Sequence, residues 1–412
     1  MRIAIIGGGA SGLMTGGFLA ENNEVTIFDG NEKVGKKLFI TGKGRCNVTN
    51  NCTKEEFLNN VVHGQKFIMS AINGFDSADT MEFFENLGLP LKTERGNRVF
   101  PASDKSSDVI KALEYHAKEC EIKLNEKVLA ITKTGEEFTV KSDKNTYSFD
   151  RVIIATGGKS YPATGSQGDG YKFAKIFGHQ IVEPRPALVP IKIKNKFCAS
   201  LEGLSLKNVT LKAEIDGKKK NLFGEMLFTT DAISGPIALS LSSYLGDAKN
   251  VELAIDFKPA LSEEVLEKRI LKDFEANLNK NISFIIKGLL PRRLVEIFLI
   301  RVEIDGQLKV NSVTTLMRKN IVQLLKDFPI EYNGLYPVEA GIITSGGVNL
   351  KEVNPKTMES KLVQGLYFIG EVLDVDCLTG GFNLQVAFST AVACAKNINI
   401  QRKNEVTKSL KE

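Results

Sequence analysis

No stretch of this sequence approaches the eighteen or more consecutive apolar residues that a membrane-spanning helix needs, so a soluble protein is expected. No secretory leader is expected in it either. Met1-Arg2-Ile3-Ala4-Ile5-Ile6 starts like one, but its apolar stretch stops at Gly7-Gly8-Gly9, well short of an h-region. Cys46, Cys52, Cys120, Cys198, Cys377 and Cys394 are scattered without C-x2-C spacing, which suggests neither a zinc site nor a disulfide framework and points to reduced thiols in a cytoplasmic protein. Histidine is scarce: His63, His116 and His179 are the whole set. They read as structural or exposed, and no general acid or base is assigned. The net charge is +5, yet the one dense basic cluster, Lys218-Lys219-Lys220, follows the hairpin-turn signal Asp216-Gly217. With no basic helix and no interleaved aromatic run, a nucleic-acid partner is not expected.

What is present is ordinary globular composition, 42% hydrophobic and 25% charged, in a chain of 412 residues that exceeds a single core. The fold class expected is α/β. Residues 2–6 form a short apolar strand, 13–20 a helix and 24–28 a second strand ending before Asp29, a βαβ unit at the start. A helix over 105–120, strands over 127–131 and 137–140, and a buried strand over 151–155 continue it. After Pro184-Arg185-Pro186 the character changes: alternating stretches at 209–215 and 251–257 read as antiparallel strands with one solvated face. Residues 262–327 turn helical, opening on Ser262 with an acidic first turn and including segments 292–302 and 313–328. Strand signals return at 341–348 and 365–370, followed by a helix over 384–397 and a polar tail, 401–412, expected to be loose.

Gly7-Gly8-Gly9-Ala10-Ser11-Gly12 satisfies G-x-G-x-x-G between a strand and a helix, with Asp29 ending the second strand 22 positions beyond Gly7. In such a unit the first glycine permits the turn, the second admits a pyrophosphate, the third allows helix to pack on sheet, and the acidic residue accepts ribose hydroxyls. A dinucleotide is expected; the motif does not separate FAD from NAD.

Ala155-Thr156-Gly157-Gly158 with Gly168-Asp169-Gly170-Tyr171 is similar to the second flavin motif of fumarate reductase-like and glutathione reductase-like flavoproteins. Gly365 to Glu371, followed by Gly380-Gly381-Phe382-Asn383-Leu384-Gln385, looks like their C-terminal motif, whose helix N-terminus would favour negative charge on a reduced flavin. More closely, the chain resembles the aminoacetone oxidase-like, or BaiN-like, flavoproteins, which include a proposed bile-acid enone reductase. The resemblance is carried by Gly42-Lys43-Gly44-Arg45-Cys46-Asn47-Val48-Thr49-Asn50, Phe228-Thr229 with Ile233-Ser234-Gly235-Pro236, Thr344-Ser345-Gly346-Gly347-Val348, and 357–376. It departs from the family pattern at Asp29, Ala232, Cys377 and Phe382.

The resemblance implies a discontinuous FAD domain, 1–188 with 338–412, interrupted by a β-rich domain, 189–260 with a returning strand at 329–337, and a helical cap, 261–328. The cofactor contacts expected are Gly7, Gly9, Ala10, Ser11, Gly12, Asp29, Lys36, Lys37, Arg45, Asn47, Val128, Thr156, Gly157, Gly158, Gly370, Glu371, Gly381, Phe382 and Asn383. The activity implied is hydride exchange between FAD and a small organic substrate. One form is reduction of a conjugated carbonyl compound with NADH or NADPH as transient donor; the alternative is oxygen-using amine oxidation. For a proton-donating arginine the candidates are Arg98 and Arg185. A disulfide reductase is disfavoured, because Cys46 and Cys52 are spaced C-x5-C and no second dinucleotide unit is present. A flavin-dependent redox sensor is the remaining, non-enzymatic reading.

Overall fold

The computed structural model describes residues 1–409, and the chain divides into two compact units: 1–187 with 337–412, and 188–336. In the first unit five parallel strands lie in the order Leu366–Phe368, Arg151–Ile154, Arg2–Ile6, Glu24–Phe28, Glu121–Lys123. The inner strands carry apolar side chains on both faces, as a parallel sheet covered by helices requires: Ile3, Ala4, Ile5, Val152, Ile153 and Ile154 are all fully buried. Helix Ala10–Ala20 packs between this sheet and the helix Phe382–Ser409. Its Gly17 leaves the space that the His116 ring occupies, which explains a glycine in the middle of a helix. Val152 pairs with Leu366 across more than two hundred residues, so the last part of the chain completes a sheet that the first part begins.

Two three-stranded antiparallel sheets and two strand pairs decorate this unit or extend it; Ile181–Ala187 pairs with Ile343–Val348, and Val61–His63 with Asp376–Cys377. The tail differs from expectation. Residues 401–409 continue the last helix, because Gln401 accepts from the Tyr367 hydroxyl at 3.1 Å and Arg402 donates to Asn23 at 2.9 Å. Positions 410–412 lie outside the described residues.

The second unit is a seven-stranded antiparallel sheet with four helices of eight residues or more, Glu263–Glu275, Ile282–Leu289, Arg292–Arg301 and Thr315–Lys326, inserted between its strands Val251–Asp256 and Phe328–Ile330. Ser262 caps the first of them, accepting from the Val265 amide. Asp216 and Gly217, with φ of 47° and 79°, turn the hairpin between Ser205–Ile215 and Lys218–Phe228, and the lysine triplet opens the second strand. Two readings need correction. Phe328, expected to end a helix, opens the edge strand Phe328–Ile330, since the helix stops at Lys326. The β-rich and helical stretches, read as separate domains, share one apolar cluster in which Leu211, Phe228 and Ile255 of the sheet join Ile270, Phe298 and Ile321 of the helices. Neither layer buries its apolar face without the other. Among the described residues no helix is long and apolar enough to cross a membrane.

Candidate cofactor site

The turn after the first strand is built by steric demand. Gly7 has φ +113°, and a β-carbon there would overlap the Ala155 carbonyl; one on Gly12 would overlap the carbonyl oxygen of Gly7. Gly9 is different: its φ is −87°, and a β-carbon on it would meet no atom within 4 Å. The space beside Gly9 is therefore open to a ligand, and the helix that starts there has no side-chain cap on its first amides. Asp29 shapes the neighbouring turn, its Oδ2 accepting from the Gly8 amide at 3.0 Å and its Oδ1 from the backbone and side chain of Asn31 at 2.9 and 2.8 Å. Ser11 lies against Gly370, whose φ is +71° and whose amide donates to Thr390 Oγ1 at 3.0 Å, so the first and last motifs meet here.

A second focus joins four segments. Lys37 Nζ donates to Glu371 Oε2 and to Ser160 Oγ, both at 2.6 Å. Glu371 Oε1 accepts from Ser160 Oγ at 3.1 Å and from the Thr344 amide at 2.9 Å, while Thr344 Oγ1 accepts from the amides of Lys159 and Ser160. A β-carbon on Gly158 would collide with Thr344 Oγ1, which is why glycine stands there. Lys37 is thus a fixed positive charge at a knot of flavin-motif residues. Ser160 and Thr344 belong to it although sequence reasoning did not select them as contacts.

The other expected contacts divide. Asn47 Oδ1 and Thr156 Oγ1 are buried polar atoms with no hydrogen-bond partner among the described residues, the condition a bound polar group would relieve. Gly157 has a positive φ of 71°, and Gly381, at 99°, lets its backbone pass the Thr49 carbonyl. By contrast, Lys36 pairs with Glu32 at 3.2 Å on the surface. Arg45 lies over the Phe100 ring at 4.2 Å and binds Glu94 and Asp104, whose carboxylates raise its already high pKa. Val128 is a buried residue at the start of a strand. Phe382 packs edge-on against Phe57 with ring centres 5.6 Å apart. Asn383 spans the peptide of Cys377, accepting from its amide and donating to its carbonyl, each at 2.9 Å. These last two fix the turn that leads into the C-terminal helix.

One constellation carries no sequence assignment. His63 Nδ1 lies 2.6 Å from Asp376 Oδ1, which also accepts from Ser345 Oγ at 2.9 Å. Asp376 is fully buried, and its Oδ2 has no partner among the described residues. The hydrogen bond to Asp376 is the main cause that raises the His63 pKa; Asp374 adds to it, while burial and Arg185 oppose. His116 and His179 are shifted the other way by burial, and each has a structural task, on the Met14 carbonyl and between Glu352 and Ser360. No motif marks His63. Of the two arginine candidates, Arg185 stands electrostatically beside this pair, whereas Arg98 donates to the Arg95 carbonyl at the surface.

A family model described as the HI0933-like protein Rossmann domain matches residues 1–397. The chain belongs to the HI0933-like family. Its relatives are matched over nearly their full lengths. It is 32% identical to a ribosomal RNA dihydrouridine synthase of Haemophilus influenzae, over 96% of this chain and 98% of that one. It is 30% identical to a 3-dehydro-bile acid delta(4,6)-reductase of Clostridium scindens, over 94% and 97%. Among solved structures, a 3-ketosteroid-delta4-(5alpha)-dehydrogenase from Rhodococcus jostii RHA1 has the same fold, with a TM-score of 0.50 at 12% identity over 95% of this chain and 96% of that one. This HI0933-like protein is an FAD-dependent oxidoreductase. The open cradle at Gly9, the uncapped helix and the unpaired atoms of Asn47 and Thr156 fit such a cofactor.

The cysteines offer no redox pair to this HI0933-like site. Cys46 is fully buried and burial pushes its thiol up to about 12, far from the thiolate that disulfide exchange needs. Cys198, Cys377 and Cys394 are buried as well, and only Cys52 and Cys120 reach solvent in part. Titration of the native holoenzyme with a thiol reagent is expected to count at most two fast-reacting groups, unchanged by NADPH. Two new thiols after NADPH would restore the disulfide reductase reading.

Proposed function

We propose that this protein is an NAD(P)H-linked reductase that saturates a carbon–carbon double bond conjugated to a carbonyl group. The observation that carries the reading is chemical agreement between two relatives with dissimilar substrates. Making dihydrouridine means adding hydrogen across a ring double bond beside a carbonyl, and a delta(4,6)-reductase of a 3-oxo steroid does the same. Six free thiols agree with a cytoplasmic setting.

Bound at the Rossmann turn, FAD supplies a two-electron carrier able to take hydride from a nicotinamide and give it to an organic acceptor. Gly9 and the first amides of helix Ala10–Ala20 would hold its pyrophosphate, and Asp29 its ribose. Lys37, clamped by Glu371, would supply a positive charge among the flavin-motif residues, and the N-terminus of the last helix, which follows the Gly380-Gly381 turn, would favour negative charge on the cofactor. Asn47 and Thr156 offer acceptor atoms that have no other use.

Anaerobic stopped-flow absorbance in the flavin band tests this. Bleaching by NADH or NADPH, then recovery on adding either unmodified ribosomal RNA or a 4,6-dien-3-one steroid, is expected, and whichever acceptor works names the substrate class. Recovery with neither, together with bleaching by aminoacetone alone, would replace the reading with amine oxidation.

A further inference from the structure

We propose that His63 is the proton donor of this reduction and that Asp376 is the residue that positions it. The inference rests on the function proposed above. Saturating a conjugated double bond needs two different hydrogens: hydride at the β-carbon, which pushes the π electrons toward the carbonyl oxygen, and a proton at the α-carbon. The two electrons come from nicotinamide through the flavin. The proton would leave the Nε2–H bond of an imidazolium at position 63 as the new α-carbon–hydrogen bond forms, and water would reprotonate the ring.

Three features separate His63 from a histidine that only packs. Its Nδ1 is committed to Asp376 at 2.6 Å, which fixes the ring and leaves Nε2 as the working atom. Nε2 has no partner among the described residues and the side chain is 40% exposed, whereas both ring nitrogens of buried His179 are occupied. Asp376 keeps an unpartnered oxygen in a fully buried position, a costly arrangement for a residue with a purely structural task.

The location is consistent with the role. Val61–His63 is paired with Asp376–Cys377, the segment that leads into the Gly380-Gly381 turn and the C-terminal helix. Ser345, the third member, adjoins Thr344, whose amide binds Glu371 in the Lys37 knot. The charged groups facing His63 are Asp376 and Asp374, which favour its proton, and Arg185, which opposes it. Burial in turn raises the Asp374 pKa. Because the pKa of His63 is raised in the folded protein, its proton stays on through and above the ordinary histidine range and is lost as pH rises through that raised value.

The scarcity of histidine makes the test direct. Nitrogen NMR of the histidine-labelled FAD holoenzyme will contain three imidazoles, and one of them, absent from H63Q, is expected to titrate above the ordinary value of about 6.5. D376N should move that titration downward. In single-turnover experiments H63Q should slow reoxidation by the conjugated acceptor about 100- to 10,000-fold, with FAD content and reduction by NAD(P)H within about twofold of wild type. The alkaline limb of the D376N rate profile should fall by the same interval as its NMR titration. Residue 63 titrating at or below the ordinary value, or H63Q reoxidised at the wild-type rate, would overturn the inference. A wild-type enzyme inert toward every conjugated acceptor would instead overturn the function on which it rests.

Discussion

Replacing Gly9 by alanine is expected to leave the apoprotein folded while abolishing tight FAD binding, and replacing Gly12 is expected to damage the apoprotein itself. The two glycines sit three residues apart in one motif, but their surroundings are opposite. A methyl group on Gly12 would overlap the Gly7 carbonyl oxygen, a backbone atom that cannot swing aside as a flexible side chain can. Overpacking of that kind costs about 1–3 kcal/mol and more where backbone must move. Gly9 has an ordinary negative φ and open space around the position of an added β-carbon, so alanine fits the empty fold without strain. The same methyl would stand where the pyrophosphate must approach. A loss of FAD affinity of about 100-fold or more, about 2.7 kcal/mol, is expected for Gly9→Ala. Thermal denaturation of both apo variants, with FAD titration of Gly9→Ala, checks this; a Gly9→Ala protein that purifies fully yellow would remove the pyrophosphate from that turn.

Glu371→Ala should be the most destabilising change among the charged residues of the site. Its removal would take the counter-ion from the Lys37 ammonium, leaving it the Ser160 hydroxyl, would leave that fully buried hydroxyl only the long 3.4 Å contact to the Ile342 carbonyl, and would deprive the Thr344 amide of its acceptor. Lys37 and Glu371 side chains are only 24% and 21% exposed, so solvent does not screen the loss away. Leaving such groups unpaired costs about 1–3 kcal/mol apiece in buried sites, and partial access to water brings the total to about 2–4 kcal/mol. A fall in apoprotein melting temperature of about 4–10 °C follows for a unit of this size. In a double-mutant cycle with Lys37→Met, the pair should lose clearly less than the sum of the singles. Strict additivity would mean that the ion pair contributes nothing to the fold.

The parts of the site that were legible in the sequence are those made by neighbours. The glycine motif reads because strand, turn, helix and Asp29 lie within one βαβ unit, and local sterics decide where glycine must stand. The hairpin at Asp216-Gly217 and the cap at Ser262 read for the same reason. Phe382 and Asn383 were located in the right turn, but their tasks, packing on Phe57 and clamping Cys377, depend on partners that no local pattern specifies. Arg45 is occupied by Glu94 and Asp104, which lie about fifty and sixty residues away.

Local sequence thus decided that the chain begins as a dinucleotide-binding α/β unit with a positive helix end facing an open turn. Backbone conformation and helix dipoles act within a few residues, and their signals survive in one dimension. Tertiary structure alone decided that Lys37 meets Glu371 across 334 positions and that His63 meets Asp376 across 313. It also decided that the β-rich and helical stretches form one core and that the polar end stays helical to Ser409. Desolvation and side-chain pairing depend on what the completed fold brings together, and a lone histidine without its buried carboxylate carries no mark of the difference.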